Sequence, residues 1–192
     1  MLVEKALEQA NFKGLHVVEE QAVPDGDFST VKSPNPEEAG AFEYAVELGK
    51  KVSADVLLAT DPDADLWGCL TLTRWKLPSD YREPNRGILV DYLLYAHQQA
   101  GTLPNNALVV KSIVSSELPT AVAKSYGAEM MNVLTGFKFI AEQIQHDEET
   151  GEHTFMFGFE ESYGYLVKSF VRDKDAVQAV LLLTEVAAHF KN

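Results

Sequence analysis

Cysteine is almost missing from this chain: Cys69 is the only one in 192 residues, which excludes an internal disulfide and suits a reducing compartment. Basic residues are scarce as well. With 16 Lys and Arg against 29 Asp and Glu, the formal charge is -13, so a nucleic-acid backbone or an anionic membrane would be repelled over most of the surface. Neither is expected as a partner. Long hydrophobic runs are absent, none approaching the roughly 18 residues needed to span a bilayer, and no signal-peptide pattern opens the chain; the cytoplasm is the expected location. The 5 histidines (His16, His97, His146, His153 and His189) show no metal-ligand spacing and no cysteine partner, so zinc is not expected. No serine stands next to a histidine or in a G-x-S-x-G elbow, and no nucleophile announces itself.

What is present is ordinary for a globular protein. Hydrophobic residues make up 46% and charged residues 23%, enough for a packed core, and the length allows one large domain or two small ones. Apolar spacing predicts a helix over 2–11 and a short strand over 15–18. Asn35, Pro36, Glu37 and Glu38 read as a helix start, with a capping side chain, a proline at the first position and acids facing the positive end of the dipole; that helix is expected to run to about 52. The apolar run 56–59 reads as a strand buried on both faces of a parallel sheet, and 66–73 as another strand. A polar stretch at 77–84 is the candidate linker, with the boundary near Pro84. Beyond it, helices over 85–99, 116–126, 136–144 and 175–189 alternate with strands over 107–110, 128–133 and 154–157. The expected fold class is α/β: two units, 1–84 and 85–192, with mainly parallel sheets flanked by helices.

Ligands in such folds gather beyond the carboxyl ends of the strands, and the polar clusters fall there. Asp61, Asp63 and Asp65 follow the first buried strand at alternate positions, a spacing that lets a curved loop turn three carboxylates toward one hard cation. Magnesium leads, and a solvated acidic turn is the alternative; an EF-hand fits poorly, with Leu66 and Leu72 where that loop needs Gly and Glu. Lys111 and Ser112 follow the next strand, Thr135, Gly136 and Lys138 the one after, and Glu160, Glu161 and Ser162 the last. Two carboxylates and a hydroxyl suit sugar hydroxyls, with Phe159, Tyr163 and Tyr165 near to pack on the ring. Lys111 and Lys138 are the cations best placed for an anionic substrate, though either could be an ion-pair partner. Arg172, Asp173, Lys174 and Asp175 read as a helix start with mutual charge pairing.

In this order the clusters carry a resemblance. The segments Val31-Lys32-Ser33-Pro34-Asn35-Pro36-Glu37, Ala59-Thr60-Asp61-Pro62-Asp63-Ala64-Asp65, Val109-Val110-Lys111-Ser112-Ile113-Val114-Ser115-Ser116, Leu134-Thr135-Gly136-Phe137-Lys138-Phe139-Ile140 and Phe157-Gly158-Phe159-Glu160-Glu161-Ser162-Tyr163-Gly164-Tyr165 resemble the α-D-phosphohexomutases, in their bacterial phosphoglucomutase and phosphomannomutase branch. The family has four domains around a cleft: a phosphoserine in the first, the metal loop in the second, the sugar loop in the third and a phosphate-binding loop in the fourth. The resemblance implies the second and third domains here, the first unit truncated at its N-terminus, with the phosphoserine and the first and fourth domains lying elsewhere. It also implies Mg2+ on Asp61, Asp63 and Asp65, sugar hydroxyls on Glu160 and Ser162, and Lys111 with Thr135, Gly136 and Lys138 lining the site of a hexose phosphate, glucose being the expected sugar. The implied reaction moves a phosphoryl group between the C1 and C6 oxygens of a hexose through a hexose 1,6-bisphosphate.

The family normally has an arginine after the third acid of the metal loop, where this chain has Leu66, and the hairpin that follows is unusual, with Trp67 and a polar run over 74–82. These departures keep a second reading open, a non-catalytic sugar-phosphate-binding module with a degenerate metal loop. A third, an aspartyl-nucleophile phosphatase, shares the D-x-D after a buried strand but expects Thr or Val after the second acid, where Ala64 stands.

Overall fold

A computed structural model describes residues 2–71 and 82–191 of the chain. Strand β3 (Ala107–Ser112) is buried at every position and lies at the centre of a four-stranded sheet. It pairs in parallel with β4 (Glu129–Val133) on one side and β5 (Thr154–Phe159) on the other; β6 (Tyr165–Leu166) adds antiparallel to β5, giving the order β4-β3-β5-β6. Alternate residues of β3 face opposite ways, as strand geometry requires. Leu108 and Val110 pack with Ile140 and Ile144 of helix α6 (Phe137–Thr150). Val109 packs in the cluster that holds Leu89 and Leu93 of α4 (Arg82–Gln99) and Val180 and Leu183 of α7 (Ala176–Lys191). Helix α5 (Leu118–Ser125) covers α4 and β4. The result is an α/β/α sandwich, and the α/β class read from the sequence is the one observed.

The first unit is smaller. Helix α1 (Leu2–Gln9) rests on α7, and Leu7 enters the same core as α4 and α7. The strands β1 (Val56–Thr60) and β2 (Trp67–Thr71) form a two-stranded antiparallel hairpin, Thr60 opposite Trp67. Trp67 is 1% exposed and stacks at 5.3 Å on Tyr165 of β6, and Leu66 bridges to Gly164. The hairpin is therefore docked on the larger sandwich.

Three local expectations differ, and a fourth falls mostly outside the described residues. Residues 56–59 do not lie in a parallel sheet, and of β1 only Leu57 is buried, because its described partner is the hairpin strand that follows it. Residues 15–18 form no strand; among the described residues nothing pairs with them, and the chain goes on into a short helix, α2 (Glu19–Ala22). The helix expected from Asn35 is interrupted. Asn35 Oδ1 accepts the Glu37 N–H at 2.9 Å and closes a single turn, Glu38 is extended, and only after a 3-10 turn (Ala39–Phe42) does α3 (Glu43–Val52) begin. The linker expected at 77–84 lies outside the described residues up to 81, as does most of the polar run 74–82, and 82–84 already belong to α4.

Candidate functional site: an acidic loop beside the β5–β6 turn

The loop that closes the β1–β2 hairpin is tied by its own first acid. Asp61 Oδ1 accepts the N–H groups of Asp65 at 3.1 Å and Leu66 at 3.0 Å, while the Asp61 N–H reaches Leu66 O and the Ala64 N–H reaches Asp61 O, both at 3.2 Å. Ala64 adopts a left-handed φ of 58° to make the turn, a conformation unusual for a residue with a Cβ. The outcome is a curve that brings carboxylate oxygens of Asp61, Asp63 and Asp65 within 4.8 Å of one another.

Three acids this close repel. Burial, then the hydrogen bond with Asp65 and the charges of Asp65 and Asp63, push Asp61 up to about 7. Burial opposes ionisation of Asp65 too, but the hydrogen bond from Asp61 and the Lys174 ammonium outweigh it and hold Asp65 below the usual range. The donor set is all oxygen, which suits a hard divalent cation, and the cluster has already drawn in one cationic group: Lys174 Nζ lies 2.9 Å from Asp65 Oδ2. The residues present therefore fit such an ion.

The turn between β5 and β6 lies next to this loop. The Glu160 N–H bonds to Gly164 O at 3.0 Å, and Tyr163 turns the chain with φ 52°. Ser162 Oγ donates to Glu160 Oε1 at 3.1 Å. Glu160 is 7% exposed; burial raises its pKa, against the Ser162 hydrogen bond and the charge of Lys174. Glu161 points the other way, where Ser112 Oγ donates to its Oε2 at 2.7 Å and Arg86 Nη2 donates to its carbonyl at 2.7 Å. Backbone joins the two loops through the Leu66–Gly164 bridge, and the Ala176 N–H at the start of α7 donates to Ala64 O at 3.0 Å, tying the acidic loop to that helix.

The other expected residues are placed differently. Lys111 is fully buried; its Nζ donates to Ser115 O at 2.9 Å and pairs with Glu117 at 3.1 Å, so its ammonium closes the β3–α5 loop. Thr135 and Lys138 are exposed. Gly136, with φ 118°, precedes α6, and Lys138 Nζ sits 4.7 Å over the Phe139 ring. Lys138 lines a shallow cleft of about 390 Å³ with Arg172 and Asp173. Those two residues also line a second cleft of about 500 Å³, together with Asp63, Ala64 and Lys174.

Sequence reasoning passed over Lys174 and Arg86 as site residues, and it did not set Ser112 against Glu161. The pairing of Lys174 with Asp173 at 3.0 Å and the capping of the Gln178 N–H by Asp175 at 3.1 Å agree with the helix-start reading of 172–175, but the reach of Lys174 to Asp65 does not follow from local spacing. Arg86 did carry a signal, as a charge set among the apolar positions of α4.

Residues 87–192 match the model described as phosphoglucomutase/phosphomannomutase, alpha/beta/alpha domain III, and residues 1–73 match domain II of the same family. The chain belongs to the phosphoglucomutase/phosphomannomutase family. It is 41% identical over 191 residues to a phosphoglucomutase of Staphylococcus epidermidis and 43% identical over 190 residues to one of Staphylococcus aureus. These alignments take in 100% and 99% of this chain but 34% of either relative. The chain thus spans about a third of the length of the curated relatives it matches. Among solved structures, a Thermus thermophilus protein assigned as a phosphomannomutase superposes with a TM-score of 0.70 at 22% identity, covering 99% of this chain and 39% of its own. A phosphoglucomutase/phosphomannomutase family protein of Burkholderia thailandensis does so with 0.59 at 18%, covering 81% and 31%. At such identities the likeness concerns the fold alone. Among the described residues of this family member, no helix is long and apolar enough to cross a membrane.

Proposed function

We propose that the chain is the cation-binding and sugar-binding part of a cytoplasmic phosphohexomutase, which interconverts hexose 1-phosphate and hexose 6-phosphate through a phosphoserine and a hexose 1,6-bisphosphate. The phosphoserine and the last phosphate-binding loop come from the first and fourth domains of the family's four-domain enzymes, outside these 192 residues. Within the chain, 1–84 serves as the metal-binding domain and 85–192 as the sugar-binding domain. Asp61, Asp63 and Asp65 hold Mg2+, which when bound offsets negative charge at the transferred phosphoryl group. Glu160 and Ser162 accept and donate hydrogen bonds to adjacent hydroxyls of the sugar, glucose in preference to mannose. Lys111 shapes the β3–α5 wall of the site, and Thr135, Gly136 and Lys138 line the wall opposite. Positioning and charge do most of the work in such a transfer.

The observation that carries this reading is the junction of the two loops. Asp65 of the acidic loop and Gly164 of the sugar-type loop meet on one side chain, Lys174, so a cation and a sugar would lie side by side. Mg2+ binding lost in Asp63→Asn, together with no turnover of glucose 1-phosphate by the isolated chain, is the expected result. Turnover by the pure chain, or Mg2+ binding unchanged in Asp63→Asn, would contradict it.

Leu66 favours the second reading, a sugar-phosphate-binding module without catalysis, because it puts an apolar side chain where the family carries a cation. Leu66→Arg separates the two: gain of phosphate affinity supports a catalytic ancestor with one weakened contact, whereas no change supports the binding module.

A further inference from the structure

Lys174 is only 17% exposed, and its ammonium lies 2.9 Å from Asp65 Oδ2 and 3.0 Å from Asp173 Oδ1. Its aliphatic stem crosses Gly164 closely: a Cβ added there would meet Lys174 Cδ at 2.6 Å and Cγ at 2.8 Å, and Glu160 Oε1 at 2.9 Å. Nζ also stands 5.8 Å from the ring centre of Phe137, the first residue of α6. One lysine thus touches the acidic loop, the sugar-type loop and the helix that follows the Thr135-Gly136 turn. Fixing a lysine in this way costs rotamer freedom, which a solvated surface lysine does not give up.

The ammonium occupies one oxygen of Asp65, a carboxylate that a divalent cation in the loop would share. A cation ligated by Asp65 takes away the less exposed of the two carboxylate partners of Lys174 and repels its charge at short range. Asp173, the ammonium's second partner at 3.0 Å, is 70% exposed, and water screens so exposed a pair; Glu160, 7% exposed, has its carboxylate against the same glycine that the stem crosses. A phosphate held beside Glu160 would attract the freed ammonium further.

We infer that Lys174 couples the two loops: a divalent cation entering at Asp65 displaces the ammonium toward Glu160 and the bound sugar phosphate, so that cation and sugar phosphate bind with positive cooperativity. This rests on the cation and hexose-phosphate reading proposed above. Lys174 is then a positioning residue, and reciprocity requires each ligand to tighten the other by the same factor.

The test is calorimetric titration of the full 192-residue chain and of Lys174→Met and Lys174→Arg with Mg2+ alone, with glucose 1,6-bisphosphate alone, and with each in the presence of the other. Broadening of the 61–66 amides by Mn2+ locates the ion. In the wild type each ligand tightens the other about fivefold or more. In Lys174→Met, Mg2+ alone binds several-fold tighter because its competitor is gone, the mutual tightening disappears, and Lys174→Arg retains it. A purely structural lysine would instead weaken both ligands when removed. Weaker Mg2+ binding in Lys174→Met, or mutual tightening that survives there, overturns the inference and leaves the site reading standing. No Mn2+ broadening at 61–66 in the wild type overturns the site reading itself and the inference with it.

Discussion

Ser112, at the last position of β3, donates its hydroxyl to Glu161 Oε2 at 2.7 Å and shares a 3.0 Å contact with Ser115, fastening the sugar-type loop to the centre of the sheet. Ser112→Ala leaves a half-buried carboxylate oxygen of Glu161 and the buried Ser115 hydroxyl short of a partner, at a cost of about 1–3 kcal/mol. Hydrogen exchange at 160–164 is expected to speed up, and affinity for glucose 1,6-bisphosphate to fall several-fold with Mg2+ affinity unchanged. Unaltered exchange would show that Arg86 alone holds the loop.

Cation binding is expected to depend on pH through Asp61. Its carboxyl, pushed up to about 7, must lose its proton to act as a ligand, so Mg2+ affinity rises with pH and levels off above about 7. Below that point one released proton gives about tenfold per pH unit. Calorimetry in two buffers of different ionisation enthalpy counts the proton directly; flat affinity from well below to well above that value would contradict the assignment.

How legible this site was in the sequence depends on which contacts are local. Asp61, Asp63 and Asp65 could be read because their spacing is itself the geometry, and Glu160 with Ser162 because they share one turn. Lys111 was legible as a residue at a strand end but not as a buried one: its partners Ser115 and Glu117 look, in sequence, like ordinary loop residues. Lys174 lies far along the chain from Asp65, and no periodicity encodes a contact at that range. The same holds for the fold. The run at 107–110 was legible as a strand of a mainly parallel sheet but not as its buried middle, and the run at 56–59, read as a strand buried on both faces, became half of a hairpin, since pairing depends on which strand is available.

His153 makes stability depend on pH at the far end of the sheet. Its Nδ1 lies 2.9 Å from the buried Asp147 and its Nε2 3.4 Å from Glu129. The Asp147 hydrogen bond outweighs burial and, with the charges of Asp147, Glu129 and Glu152, raises the imidazole above its usual value. The protonated ring is thus favoured by the fold: its contribution is complete below the unfolded pKa of about 6.5 and is lost as pH rises through the folded value. Melting temperature is expected to fall as pH rises from about 6 to about 9, and His153→Gln to lower it at the acid end and flatten the slope. An equal slope in the variant would assign the dependence to other groups, Asp61 among them.

Gly68 marks where the hairpin meets the chain before α3. A Cβ there would stand 2.6 Å from Pro36 O and 3.1 Å from the Phe42 ring, and a backbone oxygen cannot step aside as a side chain can. Gly68→Ala is expected to destabilise the chain by about 1–3 kcal/mol, read as a lower midpoint in urea; an unchanged midpoint would mean that this segment is not packed against β2.

The most direct measurement of the central proposal is an amide NMR titration of the chain with glucose 1,6-bisphosphate and Mg2+, following Asp63, Lys111, Gly136 and Glu160. Saturable shifts in those four loops and at Lys174 are predicted, Mg2+ acting first on the Asp63 loop and the sugar phosphate on the Glu160 loop. Saturation without shifts in these loops, or shifts centred elsewhere on the sandwich, would contradict the reading of this pair of loops as a cation and hexose-phosphate site.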